Sequence, residues 1–394
     1  MAHVEKRGKS RWRARYRAPD GRERSRTFDR KIDADNWLVD QQSARQKGAW
    51  VDPALGRLTF AKWFERWEST LVDLRPTTKV LYLGVARNYL VPRFGPAPLA
   101  AIGSVDVKEM LAEELDAGKL STSAVRRHVL VLSVIMQAAV ADGRIARNPC
   151  AGVKLPAETA RKMRFLEAAE AAALADTITP HYRPLVLTAA YVGLRWGELA
   201  GLKLNRVDLL RRTIRVEEQL LEVNGKLIFG PPKTKAGVRT VTIPASLVEV
   251  LAEHFATPAV QSSGLAFPSP KGELMRRPVF QRTWTSALER LRWTIERDED
   301  TEEVVYSHPL AGLVFHELRH TAAALAIAVG AHPLAIKERL GHSSITVTID
   351  RYGGLFPRLD EALSDALDGV LRESLAASPR PEGSAVARLS RSAS

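Results

Sequence analysis

His316-Glu317-Leu318-Arg319-His320-Thr321 is the stretch on which the reading of this 394-residue chain turns. The run 322–329 behind it is nearly all apolar and stops at Gly330. That pattern predicts a buried helix whose first turn carries the polar groups. On such a helix His316 and Arg319 share a face one turn apart. A guanidinium there can bind two phosphate oxygens at once. His320 reads as a structural histidine at the helix start.

Two strings flank it. Upstream is Gly193-Leu194-Arg195-Trp196-Gly197-Glu198-Leu199, where Glu198 lies one helical turn from Arg195. Downstream is Leu340-Gly341-His342-Ser343-Ser344, with Tyr352 ten residues after His342. Pro333 opens a helix that Gly341 closes, so His342 follows the cap at once. Ser343 or Ser344 then caps a short helix that delivers Tyr352. Between the strings, Pro232-Lys233-Thr234-Lys235-Ala236-Gly237-Val238-Arg239 puts two lysines on one turn. Two arginines, a lysine, histidines and a tyrosine suit attack on a phosphodiester without a metal. The tyrosine can be the nucleophile, and histidine and lysine can move the protons.

Taken in order, these strings resemble the tyrosine recombinase (phage-type integrase) family. Its pattern is Gly-x-Arg-x-x-Glu-Leu, a hairpin lysine in Lys-Thr-x-x-(Ser/Gly)-x-Arg, His-x-x-Arg-His, Leu-Gly-His and a tyrosine nine or ten residues on. The likeness spans roughly residues 160–365. It implies a catalytic set of Arg195, Lys233, His316, Arg319, His342 and Tyr352, with Glu198 orienting Arg195. Lys233 would protonate the leaving 5′ oxygen, with Lys235 as its rival. His316 would accept the tyrosine proton or bond the phosphate. Tyr352 would form a 3′-phosphotyrosine during site-specific recombination that integrates or excises a phage or mobile element. No cofactor, metal or ATP is implied. The implied partners are duplex DNA at core-type and arm-type sites, a homotetramer on that DNA and a DNA-bending accessory protein. Where the family often has a histidine soon after the tyrosine, this chain has Gly353-Gly354.

Three other readings compete. His316 to His320 is also a literal His-Glu-x-x-His, the zinc-protease helix motif, but that leaves Arg195, His342 and Tyr352 without a role. A type IB topoisomerase shares the chemistry but needs no second DNA address. A DNA-binding regulator that has lost catalysis needs no complete residue set.

Composition agrees with a multidomain globular chain: 45% hydrophobic and 26% charged residues, net charge +13. Residues 1–31 hold twelve Lys/Arg against four Asp/Glu, so +8 of the excess lies in that segment. A basic arm of this kind points to nucleic acid. Cys150 is the only cysteine, which excludes a disulfide within the chain and fits a reducing cytosol. The first ten residues are charged and do not read as a signal peptide. No apolar run is expected to approach the ~20 residues of a membrane helix, so no membrane partner is expected.

The expected fold is mainly α with small β-sheets. An arm-type DNA-binding domain over 1–55 is expected as a three-stranded sheet plus one helix. Residues 11–17 alternate strictly, with Trp12, Ala14 and Tyr16 on one side and Arg11, Arg13, Arg15 and Arg17 on the other. A strand over 22–28 adds Arg22, Arg24 and Arg26, and all seven arginines are expected on one DNA-facing side. A helix over 33–46 backs the sheet. A helical domain over 57–150 follows, with helices over 59–71, from Pro76 to near Pro92, from Ser104 to 115, and from Ser121 or Ser123 to Gly143. It resembles a core-site-binding domain. An α+β catalytic domain is expected over 160–371. Within it, 213–216 and 226–229 are expected to pair around Asn224-Gly225, 239–243 adds a strand, and the acidic run 296–308 reads as a loop. The segment 355–371 reads as a helix that can pack on a neighbouring protomer. Residues 372–394, rich in Ser, Arg, Pro and Ala from 378 on, are expected to be disordered.

Overall fold

The computed structural model describes residues 2–8, 10–19, 21–46, 52, 54–158, 163–291, 293–297, 304–307, 310–355 and 359–377. The chain divides into two compact units, Met1–Arg161 and Lys162–Ser394.

The first unit opens with an antiparallel sheet of His3–Arg7, Arg11–Arg17 and Glu23–Phe28, in that order. Helix Lys31–Gln46 packs on it. Ala14, Tyr16, Ala34 and Leu38 form the buried seam, and the Tyr16 hydroxyl donates to Gln41 Oε1 at 3.0 Å. The register corrects the expected arginine face. Trp12 pairs with Phe28, Ala14 with Arg26 and Tyr16 with Arg24. Directly paired residues project to the same side of a sheet, so Arg24 and Arg26 share the side of the apolar seam, and Arg22 continues their phase. Arg11, Arg13, Arg15 and Arg17 lie on the other side, opposite Arg7, Glu5, Glu23, Ser25 and Thr27. Arg15 reaches both Glu5, at 2.7 Å, and Glu23, at 3.2 Å. Arg24 instead pairs with Asp52. Alternation fixed the phase within each strand, but only the pairing sets one strand's phase against the next.

A separate apolar core belongs to the helices that follow: Phe60–Ser69, Pro76–Val85, Ser104–Asp116 and Thr122–Ala141. Phe60, Leu90, Met110, Leu132, Ile135 and Met136 are all but sealed from solvent. The second helix does not stop at Pro92. A π-turn over Ala86–Leu90, with Val91 N–H donating to Ala86 O, carries it on to Phe94. The wider turn accommodates a proline that a regular helix interior would not. Asp106 accepts from Gly103 N–H, so the third helix is capped at Gly103 rather than Ser104. Ser121 caps the fourth. That helix, Thr122–Ala141, is long and apolar enough by length and composition to cross a membrane, contrary to the expectation that no run approached this. Eight of its residues are buried, from Val125 to Ala139, six of them in this core, which makes it the central helix of this packing.

The second unit packs helices Ala168–Thr177, Arg183–Val192 and Glu317–Ala328 around one large core, with Ala245–Phe255 and Arg277–Arg290. Its strands depart from expectation. Asn224 and Gly225 both have positive φ, +50° and +73°, as a two-residue hairpin turn of the primed type requires. The strand before that turn is Gln219–Val223, paired with Lys226–Gly230. A two-residue loop forces the adjoining residues to pair, so the more distant Thr213–Val216 is excluded. It pairs instead with Val207–Asp208 and Arg239–Thr242. The loop expected over 296–308 is corrected where it is described: 296–297 end the strand Trp293–Arg297, which pairs antiparallel with a strand Val304–Ser307, and 298–303 lie outside the described residues. Helix Leu359–Ala377 runs past the expected boundary at 371, and residues 378–394 lie outside the described residues.

Gly193 joins two of the elements that carry polar groups. It ends helix Arg183–Val192 at φ +78°, and a Cβ there would sit 2.6 Å from Leu340 Cδ2 and 3.1 Å from Ala322 Cβ. Gly193→Ala therefore incurs a left-handed penalty of about 1–2 kcal/mol and an overpacking penalty of about 1–3 kcal/mol. A thermal melt should show a clear fall, at roughly 2–4 °C per kcal/mol for a unit of this size. An unchanged melt would contradict this packing.

Candidate functional site

Glu198 is a carboxylate held between two arginines of the site, and it is 1% exposed. Helix Trp196–Ala200 begins with Arg195 as N-cap, and Glu198 accepts from Arg195 N–H at 2.9 Å and from its Nη1 at 2.7 Å. Arg239, the first residue of a strand, donates to the same carboxylate through Nη2 at 2.9 Å and Nη1 at 3.2 Å. Burial pushes the Glu198 carboxyl up, but the hydrogen bonds and charge of Arg239, then of Arg195, outweigh it and hold it below its ordinary value.

The arginines also bind backbone oxygens of the other strings. Arg319, 2% exposed, donates to Gly193 O at 2.6 Å and to Leu340 O. Arg195 reaches Gly341 O at 3.3 Å. Arg239 donates to Arg339 O at 2.8 Å and Gly237 O at 2.9 Å. The left-handed Gly341 closes helix Pro333–Leu340, and His342 N–H donates back to Lys337 O at 3.0 Å. A Cβ on Gly341 would meet Ala236 O at 2.7 Å, so the lysine turn and the His342 turn touch here. Lys233 and Lys235 are both exposed on that turn. A cleft of about 400 Å³ opens over Arg195 and His316, bordered by Gln219, Arg277 and Phe315.

Ser344 caps helix Ile345–Tyr352, whose last residue is 1% exposed among Ala323, Ile327, Ile336 and Leu340. His342 Nδ1 is 2.9 Å from Thr348 Oγ1, and its ring lies nearly parallel to that of Tyr352, 13° apart in plane. The Tyr352 hydroxyl is 2.8 Å from His320 Nδ1. The reading of His320 as a histidine at the helix start did not include this neighbour. His316 sits edge-on to His320, 5.1 Å between rings, and borders the cleft instead. Glu317 accepts from Val314 N–H at 2.7 Å and so closes the helix start. Among the described residues no group of three or more His, Cys, Asp or Glu is placed to share a metal ion, so the zinc-helix reading finds no third ligand there.

The local charge is strongly positive. Burial first, then nearby cations, pushes His316 and His320 down to about 4 and His342 to about 3. On His316 the charge effect comes from His320 first and then from Arg319, Arg195 and Arg351, and on His342 from Arg319, Arg195 and Arg351. Burial, with Arg195 beside it, pushes Arg319 down to about 9, so it stays charged at neutral pH. Burial raises the Tyr352 hydroxyl against the opposing pull of Arg319 and Arg351. The result is a set of fixed cations with neutral imidazoles beside a protonated tyrosine, an arrangement that favours an incoming anion.

The structure thus brings Arg195, His316, Arg319, His342 and Tyr352 together, with the turn of Lys233 and Lys235 against Gly341. Sequence reasoning missed Arg239, His320 and Thr348. Arg239 was present in the lysine string, but nothing local showed that its guanidinium turns toward Glu198. Thr348 carried no signal.

Comparison with known proteins gives the same outline. The family model "Phage integrase family" matches residues 164–356, and "Phage integrase, N-terminal domain" matches residues 3–47. A putative prophage phiRv2 integrase of Mycobacterium tuberculosis is 30% identical over 353 residues, covering 85% of this chain and 86% of that protein. Among solved structures, the Tn1549 transposon integrase in complex with transposon right end DNA has a TM-score of 0.62 at 20% identity, covering 81% of this chain and 100% of that one. A lambda integrase tetramer bound to a Holliday junction has a TM-score of 0.53 at 20% identity, covering 88% and 94%. These structural likenesses concern the fold.

Arg239→Ala leaves Glu198 with one partner in a sealed site. Breaking a buried pair on one side costs about 3–5 kcal/mol, and chemical denaturation should show a loss of that order. Arg239→Lys should recover only part, because an ammonium lacks the fork that meets both carboxylate oxygens. The stabilisation from Glu198 should be present above the ordinary carboxylate range. It should fade as pH falls through the lowered folded value, because its pKa is depressed on folding. A loss under about 1 kcal/mol would show that the pair does not hold the site together.

Proposed function

The chain belongs to the phage integrase family and is a tyrosine site-specific DNA recombinase, and from that premise we propose how its residues divide the work. Tyr352 attacks the scissile phosphate and forms a 3′-phosphotyrosine, releasing a 5′ hydroxyl. The 5′ hydroxyl of a partner duplex then attacks that bond, and because the energy stays in the ester, no ATP is used. Arg195, Arg319, His316 and His342 surround the phosphate and stabilise the charge that develops on it, commonly the largest catalytic contribution. Lys233 protonates the leaving 5′ oxygen, with Lys235 as the alternative on the same turn. What supports this reading above all is the convergence of three strings distant in sequence on one tyrosine, with fixed cations around it.

The division into an arm over 1–55, a core-binding domain over 57–150 and a catalytic domain over 160–371 remains our working scheme. The separate apolar cores of the first unit support its first division. In the arm, the side bearing Arg11, Arg13, Arg15 and Arg17 faces arm-site DNA. Arg22, Arg24 and Arg26 lie on the opposite side and act through the sheet edge. The protein works in a bacterial cytosol as a homotetramer on core and arm sites, as lambda integrase forms a tetramer on a Holliday junction, with a DNA-bending protein assisting. The alternatives of a relaxing topoisomerase or an inactive regulator fit less well, given the arm and the complete residue set.

Tyr352→Phe should abolish the covalent protein–DNA adduct on nicked suicide substrates while leaving DNA affinity within a few-fold. An adduct retained in this variant would remove Tyr352 from its role. Lys233→Ala should slow cleavage by about 10²–10⁴-fold, and a 5′-phosphorothiolate leaving group, which needs no proton, should restore it. Rescue of Lys235→Ala instead would exchange the two lysines.

A further inference from the structure

We infer that His320 is the base that takes the proton from the Tyr352 hydroxyl, a role distinct from the phosphate-facing one of His316. The inference rests on Tyr352 being the nucleophile. Of the three histidines at the site, only His320 has a ring nitrogen recorded within hydrogen-bond distance of the reacting oxygen: Nδ1 lies 2.8 Å from Oη. His342 has its Nδ1 on Thr348. His316 meets His320 edge-on and opens to the cleft. Both members of the His320–Tyr352 contact are buried, at 7% and 1% exposure, so bulk water is a poor competitor for the proton.

The positions also explain how the pair can be poised. His320 and Tyr352 project from different helices, Glu317–Ala328 and Ile345–Tyr352, into one apolar cluster. The titratable and charged groups around the imidazole are Tyr352, His342 and Arg351 from one side, and His316 and Arg319 from its own helix. Burial, Arg351 and Arg319 keep the ring neutral, so Nδ1 accepts while the tyrosine O–H donates. A bound phosphodiester brings negative charge to the same arginines and lifts their repulsion of an imidazolium. The base thus gains strength when its substrate arrives.

The step balances. The Oη–P bond forms as the P–O5′ bond breaks. The phenolic proton moves to His320 Nδ1, and the leaving oxygen takes its proton from the lysine turn. In rejoining, the incoming 5′ hydroxyl gives its proton back to the lysine turn as its oxygen attacks phosphorus, the Oη–P bond breaks, and the protonated His320 returns its proton to the departing tyrosine oxygen.

The test is the rate of phosphotyrosine formation by the full chain on nicked substrate, between pH 5.5 and 9.5, in wild type and His320→Asn. Asn places an amide where it can accept the tyrosine hydrogen bond but cannot take the proton. The expected result is DNA affinity within a few-fold of wild type and cleavage slowed by about 10²–10⁴-fold near pH 7. The deficit should shrink as pH rises and the phenol ionises unaided, and a 5′-phosphorothiolate should not rescue it. Cleavage within about threefold of wild type at every pH, or a deficit that does not change with pH, would overturn the proposal and leave His320 as packing. Should Asn disturb folding, seen as lost DNA affinity, His320→Gln is read against the same outcomes. An adduct in Tyr352→Phe is a different failure, because it removes the nucleophile itself.

Discussion

A single buried carboxylate organises the second unit's polar centre. Glu198 lies between Arg195 and Arg239, and all three arginines of the site, Arg319 included, extend donors to main-chain oxygens. One anion does not balance three guanidinium groups, so the remaining positive charge is spread over the carbonyls of Gly193, Gly237, Arg339, Leu340 and Gly341. Buried charges persist only when hydrogen-bonded. This explains why the strings of Arg195 and His342 each carry a glycine close to the functional side chain. Gly193 and Gly341 take the left-handed turn that brings their strings against the arginines, with no Cβ to obstruct the approach.

The same excess charge gives the site its chemistry. Arg319 stays protonated, while His316, His320 and His342 are kept neutral by burial first and then by nearby charge. On the proposed function, a phosphodiester would supply the missing negative charge. Preorganised cations of this kind act most strongly where water is excluded, and Arg319 and Tyr352 are both sealed.

Much of this was legible in the sequence, because the deciding features are local. Pro333, Gly341 and Ser344 bracket two helices, and together they set the position of His342 relative to Tyr352. Strict alternation gave the strand Arg11–Arg17 and its buried side. The errors concern relations between segments. Which strand joins Lys226–Gly230, and which side of the arm sheet Arg24 and Arg26 occupy, depend on register. One helix turn taken alone does not reveal what His320 touches. Its partner comes from a helix 32 positions later. Arg239 clasps Glu198 across 41 positions of sequence, a contact that helical spacing cannot reveal.

The central claim is that this constellation delivers one phosphate to one tyrosine. The most direct measurement traps the protein on nicked attachment-site DNA, digests the adduct with nuclease and protease, and locates the nucleotide by mass spectrometry. The account expects a single nucleotide-bearing peptide, modified at Tyr352 and linked through a 3′ phosphate. A nucleotide on any other side chain, or one attached through a 5′ phosphate, would contradict it.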